Sequence, residues 1–204
     1  MSINLNLGDC LEAMKEMPDN SYDLAIVDPP YGINFAKAKG GSGWIVREGK
    51  DWDKEIPSED YYNELYRVSS NQIIWGANYM THYLKPSMGW IFWDKGQDLS
   101  MSDGELAYTS FQRPLRRIII NRGQLTVEGG TIHPTQKPIK LYEWLLTHYA
   151  KEGDKILDTH RGSGSLDIAC HNLGYDLVTC EIDEQYFKDA NERLRVHQSQ
   201  LVMF

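Results

Sequence analysis

A chain of 204 residues, 41% of them hydrophobic and 25% charged, is sized for one domain of ordinary globular composition. Its mean hydropathy is -0.50, and no apolar run approaches the roughly 20 residues needed to cross a bilayer, so no membrane partner is expected. The net charge of -8 argues against a generally basic nucleic-acid coat, so any phosphate contact must come from a local patch.

Residues 3–7 alternate apolar and polar and predict a short strand ending at Gly8-Asp9. Residues 11–17 predict a brief helix stopped by Pro18, and residues 23–27 a buried strand that runs into Asp28-Pro29-Pro30-Tyr31. The stretch 35–52 is rich in Gly and Lys and reads as a mobile loop. Ser58 is expected to cap a helix running from about Glu59 to Val68. Residues 72–75 and 89–93 predict buried strands with a helix near 78–84 between them, and residues 115–120 a further strand. Apolar positions Ile139, Tyr142, Leu145, Leu146 and Tyr149 recur at helical spacing. A strand at 155–157, a helix at 166–173 ended by Gly174, a strand at 177–180 and a closing helix at 186–196 complete the chain. Strands alternating with helices imply a mostly parallel sheet covered on both faces. No repeat or low-complexity tract is present. The start lacks a basic stretch followed by a long apolar one, so no secretory signal is expected. The three cysteines, Cys10, Cys170 and Cys180, have no metal-ligand spacing and are expected reduced, in a cytoplasmic protein without a metal.

Two motifs carry chemistry. Asp28-Pro29-Pro30-Tyr31 closes an apolar strand, and the carboxyl ends of strands are where open α/β sheets build ligand sites. Its prolines fix φ and remove two backbone donors. A carboxylate and a turn carbonyl can accept hydrogen bonds from an amino group, while the tyrosine stacks on a flat ring. Alone, the tetrapeptide also fits a plain proline turn. The second motif, Asp158-Thr159-His160-Arg161-Gly162-Ser163-Gly164-Ser165, is a strand end, a glycine-rich turn and a helix start. Glycines admit a ligand close to the backbone, and the helix amino terminus offers free N–H groups. It is neither GxGxxG nor a P-loop, so a pyrophosphate is not favoured. Glu181 ends the next strand about 20 residues on, where an acid can hydrogen-bond ribose hydroxyls. The combination suits S-adenosylmethionine.

His133-Pro134-Thr135-Gln136-Lys137-Pro138, followed by a helix and the Asp-x-x-x-Gly-Ser-Gly loop, resembles the β-class DNA amino-methyltransferases, whose signature Asp-Pro-Pro-Tyr stands at 28–31. The order of motifs is also similar, and the likeness runs from Gly8-Asp9-Cys10 to the last helix. It implies a single α/β domain, a Rossmann-like seven-stranded sheet that is circularly permuted, has one antiparallel strand and bears helices on both faces. Residue by residue it implies that Asp9 and Cys10 border the cofactor adenine, and that Asp158, His160, Gly162, Ser163 and Gly164 lie under its methionine part. Thr135, Gln136 and Lys137 would approach the carboxylate end, Glu181 the ribose, and Asp28, Pro29, Pro30 and Tyr31 the target base. The family usually has Pro, Phe and Thr where Thr159, His160 and Ser165 stand here; a neutral imidazole at His160 would suit a sulfonium better than a cation.

Residues 106–127 contain no acid but include Arg113, Arg116, Arg117 and Arg122. Within the segment 94–132, read as a short DNA-recognition insertion, they are candidates for contact with double-stranded DNA, as are Lys37, Lys39 and Arg47 in the loop after the signature. A solvated basic face is the plainer reading. The expected reaction is adenine-N6 methylation, as in restriction-modification enzymes. Cytosine-N4 methylation suits the same pocket, although Ser-Pro-Pro-Tyr is more associated with it. The glutamine-amide enzymes resemble Asn-Pro-Pro-Tyr, which is absent here, and a catalytically silent nucleic-acid-binding subunit is the alternative outside enzymes. The resemblance also admits a homodimer.

Overall fold

The computed structural model describes residues 1–34, 53–97 and 102–201. Eight strands form one sheet: β1 (Ile3–Leu7), β2 (Tyr22–Val27), β3 (Ser69–Trp75), β4 (Trp90–Asp94), β5 (Gly104–Thr109), β6 (Arg116–Ile119), β7 (Lys155–Asp158) and β8 (Asp176–Glu181). Their spatial order is β1-β8-β7-β2-β3-β5-β4-β6. Only β5 runs against its neighbours, pairing antiparallel with both β3 and β4. The expected single antiparallel strand is therefore present, but the count of seven is corrected to eight. β5 is the strand that the local pattern did not reveal.

The central strands read as unbroken apolar runs because both faces are covered. Along β2, Leu24 and Ile26 enter one core cluster while Ala25 and Val27 enter the other. The first cluster packs under α4 (Ile139–Tyr149) and α5 (Ser165–Leu173). The second lies under α1 (Cys10–Lys15) and α2 (Glu59–Val68), through Met14, Tyr61, Tyr62 and Leu65. A short α3 (Gln124–Val127) and the long α6 (Glu184–Leu201) complete the helices. The helix expected near 78–84 is two single turns of 3-10 helix, Ala77–Tyr79 and Thr81–Tyr83, entered from Gly76 at φ 64°. Ser58 stands at the α2 start without a side-chain cap hydrogen bond.

From β7 the chain passes through α5 to β8 on one side of the sheet. From β2 it passes through α2 to β3 on the other. β2 and β7 are themselves paired, Leu24 opposite Ile156 and Ala25 opposite Leu157. The progression of strands therefore reverses between them, which opens a crevice at their carboxyl ends. Both sequence motifs leave the sheet at that crevice. Among the described residues no helix is long and apolar enough to cross a membrane.

Candidate active site

A cavity of about 640 Å³ opens at the carboxyl ends of β1, β2, β7 and β8. Gly162 and Ser163 line it from the turn before α5. That turn closes because Gly162 and Gly164 take φ 52° and 68°, a left-handed backbone that costs glycine little. At Gly164 a Cβ would also stand 2.8 Å from the Asp167 carboxylate. Glu181, 8% exposed, lines the same cavity and accepts from Gly162 N and Asp183 N, both at 2.9 Å. Each oxygen keeps acceptor capacity toward a ligand hydroxyl. Burial pushes the Glu181 carboxyl up. Asp158 and Gly164 lie behind the wall: Asp158 accepts from His160 N at 3.0 Å and is pushed well up by burial, while Gly164 N donates to Arg161 O at 3.0 Å.

Asp9 and Cys10 line the neighbouring wall, where Asp9 Oδ1 caps α1 by accepting from Leu11 N and Glu12 N. His160 faces them. Its Nε2 stands 3.9 Å from Cys10 Sγ, its Nδ1 2.9 Å from Thr159 Oγ1, and Thr159 Oγ1 is 2.6 Å from Tyr61 OH. Burial brings the His160 ring down to about 4, so near neutral pH it is an uncharged aromatic wall. A cationic ligand is therefore tolerated beside it.

The second half of the site hangs from β2. Asp28, one residue past the strand, accepts from Tyr31 OH at 2.6 Å and from Lys137 Nζ at 2.5 Å. The Lys137 side chain is 1% exposed and also contacts Glu105 Oε2 at 3.1 Å, whose Oε1 takes Lys95 Nζ at 3.1 Å. Burial and Glu105 push the Asp28 carboxyl up, and Lys137 opposes them. Burial alone would raise Glu105, but Lys137 and Lys95 outweigh it and hold Glu105 below its usual range. Burial alone would lower Lys137, but Asp28 and Glu105 outweigh it and raise it. Asp28, Pro30 and Lys137 face the cavity, while Pro29 and Tyr31 do not line it. The Tyr31 ring stacks on Tyr79 at 5.2 Å and 14°, and only a glycine fits under it, because a Cβ on Gly76 would lie 2.0 Å from the ring. Asp53 fixes the turn by accepting from Tyr31 N at 2.7 Å and Gly32 N at 3.0 Å.

In the hexapeptide before α4, the Lys137 ammonium pairs with Asp28 and Glu105, as a buried ammonium has to find anions. Gln136 spends its side chain on the backbone, accepting from Ile132 N and donating to Gly130 O, both at 2.9 Å. It and Thr135 line the cavity, and Thr135 Oγ1 lies 3.1 Å from His133 Nδ1. The four arginines do not form one patch. Arg113 donates to the His148 carbonyl at the end of α4 and lies over Phe111 and Tyr149, at the amino-terminal end of the strands, away from the crevice. Arg113 therefore stands at the opposite end of β6 from Arg122. Arg116 and Arg117 are exposed on the edge strand β6, with Arg117 Nη2 at 2.5 Å from Asp94. Arg122 follows the carboxyl end of β6. Lys37, Lys39, Arg47 and the loop that bears them lie outside the described residues. Glu105, Lys95 and Asp53 were missed in the sequence. An acid opening a short strand reads as solvated there, and only the pairing of Glu105 with Trp93 across β4 and β5 brings it inward.

The sequence model described as DNA methylase, of the N6/N4 methyltransferase type, matches residues 101–192. Over that stretch the chain resembles the N6/N4 DNA methylases. The chain is 25% identical over 240 residues to the type II methyltransferase M.HpaI of Haemophilus parainfluenzae, an alignment covering 95% of this chain and 74% of that protein. Its fold matches the crystal structure of the M1.HpyAVI–SAM complex with TM-score 0.62 at 22% identity, over 94% of this chain and 100% of the other. It matches TTHA0409, a putative DNA modification methylase from Thermus thermophilus complexed with S-adenosyl-L-methionine, with TM-score 0.62 at 15% identity, over 97% and 96%. Among the described residues no group of three or more His, Cys, Asp or Glu could hold a metal ion.

Proposed function

We propose that this protein methylates adenine N6 in DNA, with S-adenosylmethionine as methyl donor. The observation that carries the reading is the pairing of two half-sites on neighbouring strands: Asp28 past β2, and the Gly162–Ser163 turn with Glu181 past β7 and β8. The donor fits the residues present. Glu181 offers acceptors for ribose hydroxyls, Asp9 and Cys10 border the adenine end, and the uncharged His160 tolerates a sulfonium. When bound, the cofactor supplies a methyl group on that sulfonium.

The chain's own residues do the rest. The exocyclic nitrogen of adenine is a weak nucleophile because its lone pair is delocalised into the ring. Asp28 accepts a hydrogen bond from it and so favours a pyramidal nitrogen with its lone pair free. As the nitrogen–carbon bond would form and the carbon–sulfur bond of the donor sulfonium would break, leaving a neutral thioether, the nitrogen would shed one proton to the Asp28 carboxylate. Tyr31, held on Tyr79 and Gly76, fixes Asp28 through its hydroxyl. A base has to leave the duplex stack to reach this crevice. The segment 94–132 carries the recognition surface in this proposal, with Arg116, Arg117 and Arg122 toward phosphates. The protein acts as a homodimer on double-stranded DNA in the same proposal.

The test is transfer of labelled methyl to unmethylated genomic DNA, followed by mass spectrometry of the nucleosides. N6-methyladenosine supports the proposal, N4-methylcytosine moves the assignment to cytosine, and no methylated base defeats it. Asp28→Ala should keep cofactor affinity within a few-fold while transfer falls by about 10²–10³, the scale of one strong transition-state hydrogen bond.

A further inference from the structure

A partly buried chain of four alternating charges, Asp28, Lys137, Glu105 and Lys95, runs back from Asp28. Lys137 Nζ has three donors and three acceptors around it: Asp28 Oδ2 at 2.5 Å, Glu105 Oε2 at 3.1 Å and Tyr31 OH at 3.2 Å. Glu105 gives its other oxygen to Lys95 Nζ at 3.1 Å. The two ammonium groups also face aromatic rings, Lys137 over Trp75 at 5.3 Å and Lys95 over Trp93 at 5.5 Å. The strand that delivers Glu105 is pinned at its entry, because a Cβ on Gly104 would stand 2.3 Å from the Phe92 ring and 2.5 Å from Trp93 O. Glu105 is therefore held by backbone fit and not by its ion pairs alone.

We propose that Glu105 is a positioning residue for methyl transfer: anchored by Lys95, it divides the Lys137 ammonium with Asp28 and so leaves the Asp28 carboxylate available to the incoming amine. The proposal rests on the reading of Asp28 given above. Without Glu105, Lys137 would have one anion left and would close on Asp28 as a tight pair. Asp28 would then be a weaker acceptor and a weaker base. Lys95 keeps Glu105 from adding a full unscreened negative charge beside Asp28. The other titratable groups facing this chain are Tyr31 from the signature turn, Tyr142 from α4 and Asp158 from the end of β7. Of the charged groups acting on Asp28, Lys137 lowers it and Glu105 raises it.

The signs of two substitutions are therefore opposite. Glu105→Gln removes a negative charge from beside Asp28, so the acid limb of the transfer rate should move to lower pH, by about 1 unit for neighbouring charges. Lys95→Gln leaves Glu105 less neutralised, so the same limb should move to higher pH. The double variant Lys95→Gln/Glu105→Gln still lacks the anion that shares Lys137, so its limb should lie at lower pH, as in Glu105→Gln. All are measured on the full chain with labelled S-adenosylmethionine and unmethylated genomic DNA, with cofactor affinity by calorimetry and the unfolding midpoint as controls. Opposite shifts with near-constant cofactor affinity support the proposal. Shifts of one sign, or lower rates with no shift in either limb, overturn it and leave Glu105 a packing residue. If Glu105→Gln does not fold, the direction of Lys95→Gln alone decides. Near-normal transfer by Asp28→Ala would instead sink the reading of Asp28, whatever Glu105 does.

Discussion

Replacing Lys137 with Met isolates the electrostatics of the site from its packing. Methionine fills most of the space of the lysine stem, so the apolar packing is largely preserved, but the ammonium between Asp28 and Glu105 is gone. Removing one partner of a buried ion pair typically costs about 3–5 kcal/mol, because a charge is left without compensation. Two features pull the figure to the lower end: Glu105 keeps Lys95, and Asp28 and Glu105 are 16% and 24% exposed, so water screens part of the repulsion. The expected loss is about 3 kcal/mol at pH 7.5, read by urea unfolding. Its pH dependence is set by the direction of the carboxyl shifts. Without Lys137 the folded Asp28 and Glu105 titrate above their unfolded values, so the folded state takes up protons that the unfolded state has already released. Stability then recovers as pH falls through that window, and the deficit against wild type should be smaller at pH 5 than at pH 7.5. A deficit below about 1 kcal/mol, or one that does not shrink in acid, would refute the charge chain as described.

Glu181→Ala should weaken S-adenosylmethionine binding by about 1–3 kcal/mol, the scale of hydrogen bonds to a buried carboxylate, and calorimetry reads it directly. The folded His160 titrates near 4, below the unfolded value, so the unfolded chain gains a proton that the folded chain refuses. Wild-type stability should therefore fall as pH drops from about 6.5 toward 4, and His160→Phe should lack that part of the slope while keeping cofactor affinity near neutral pH. Neutralising Arg116 and Arg117 together should flatten the dependence of log DNA affinity on log salt by about 0.9 for each phosphate no longer neutralised, with free-cofactor binding unchanged; an identical slope would leave them a solvated edge.

The parts of this site that were legible in the sequence are those whose geometry is local. Asp28-Pro29-Pro30-Tyr31 follows a strand, and Gly162 and Gly164 have to turn the chain where β7 gives way to α5, so both positions could be read from their neighbours. What was not legible depends on strand pairing across distance. β5 is a six-residue strand whose identity as the antiparallel member is set only by β3 and β4 on either side. Glu105 and Lys95 reach the neighbourhood of Asp28 only through that pairing. Lys137 was visible as a residue of interest, but the anion that holds it comes from 109 positions away in the chain. The arginine segment depends on the same pairing: its composition suggests one surface, and the strand direction of β6 places Arg113 and Arg122 at opposite strand ends.

The direct pairing of β2 with β7 also acts as a gauge. In the proposed reaction the turn that would hold the amine and the turn that would hold the methyl donor leave adjacent strands, so their separation would be tied to the interstrand repeat of about 4.8 Å, a distance maintained by main-chain hydrogen bonds. On that proposal no hinge between two bodies would have to swing shut to bring acceptor and donor into line. The far edge of the sheet, where β5, β4 and β6 lie, would then be free to change while the spacing at the centre is preserved.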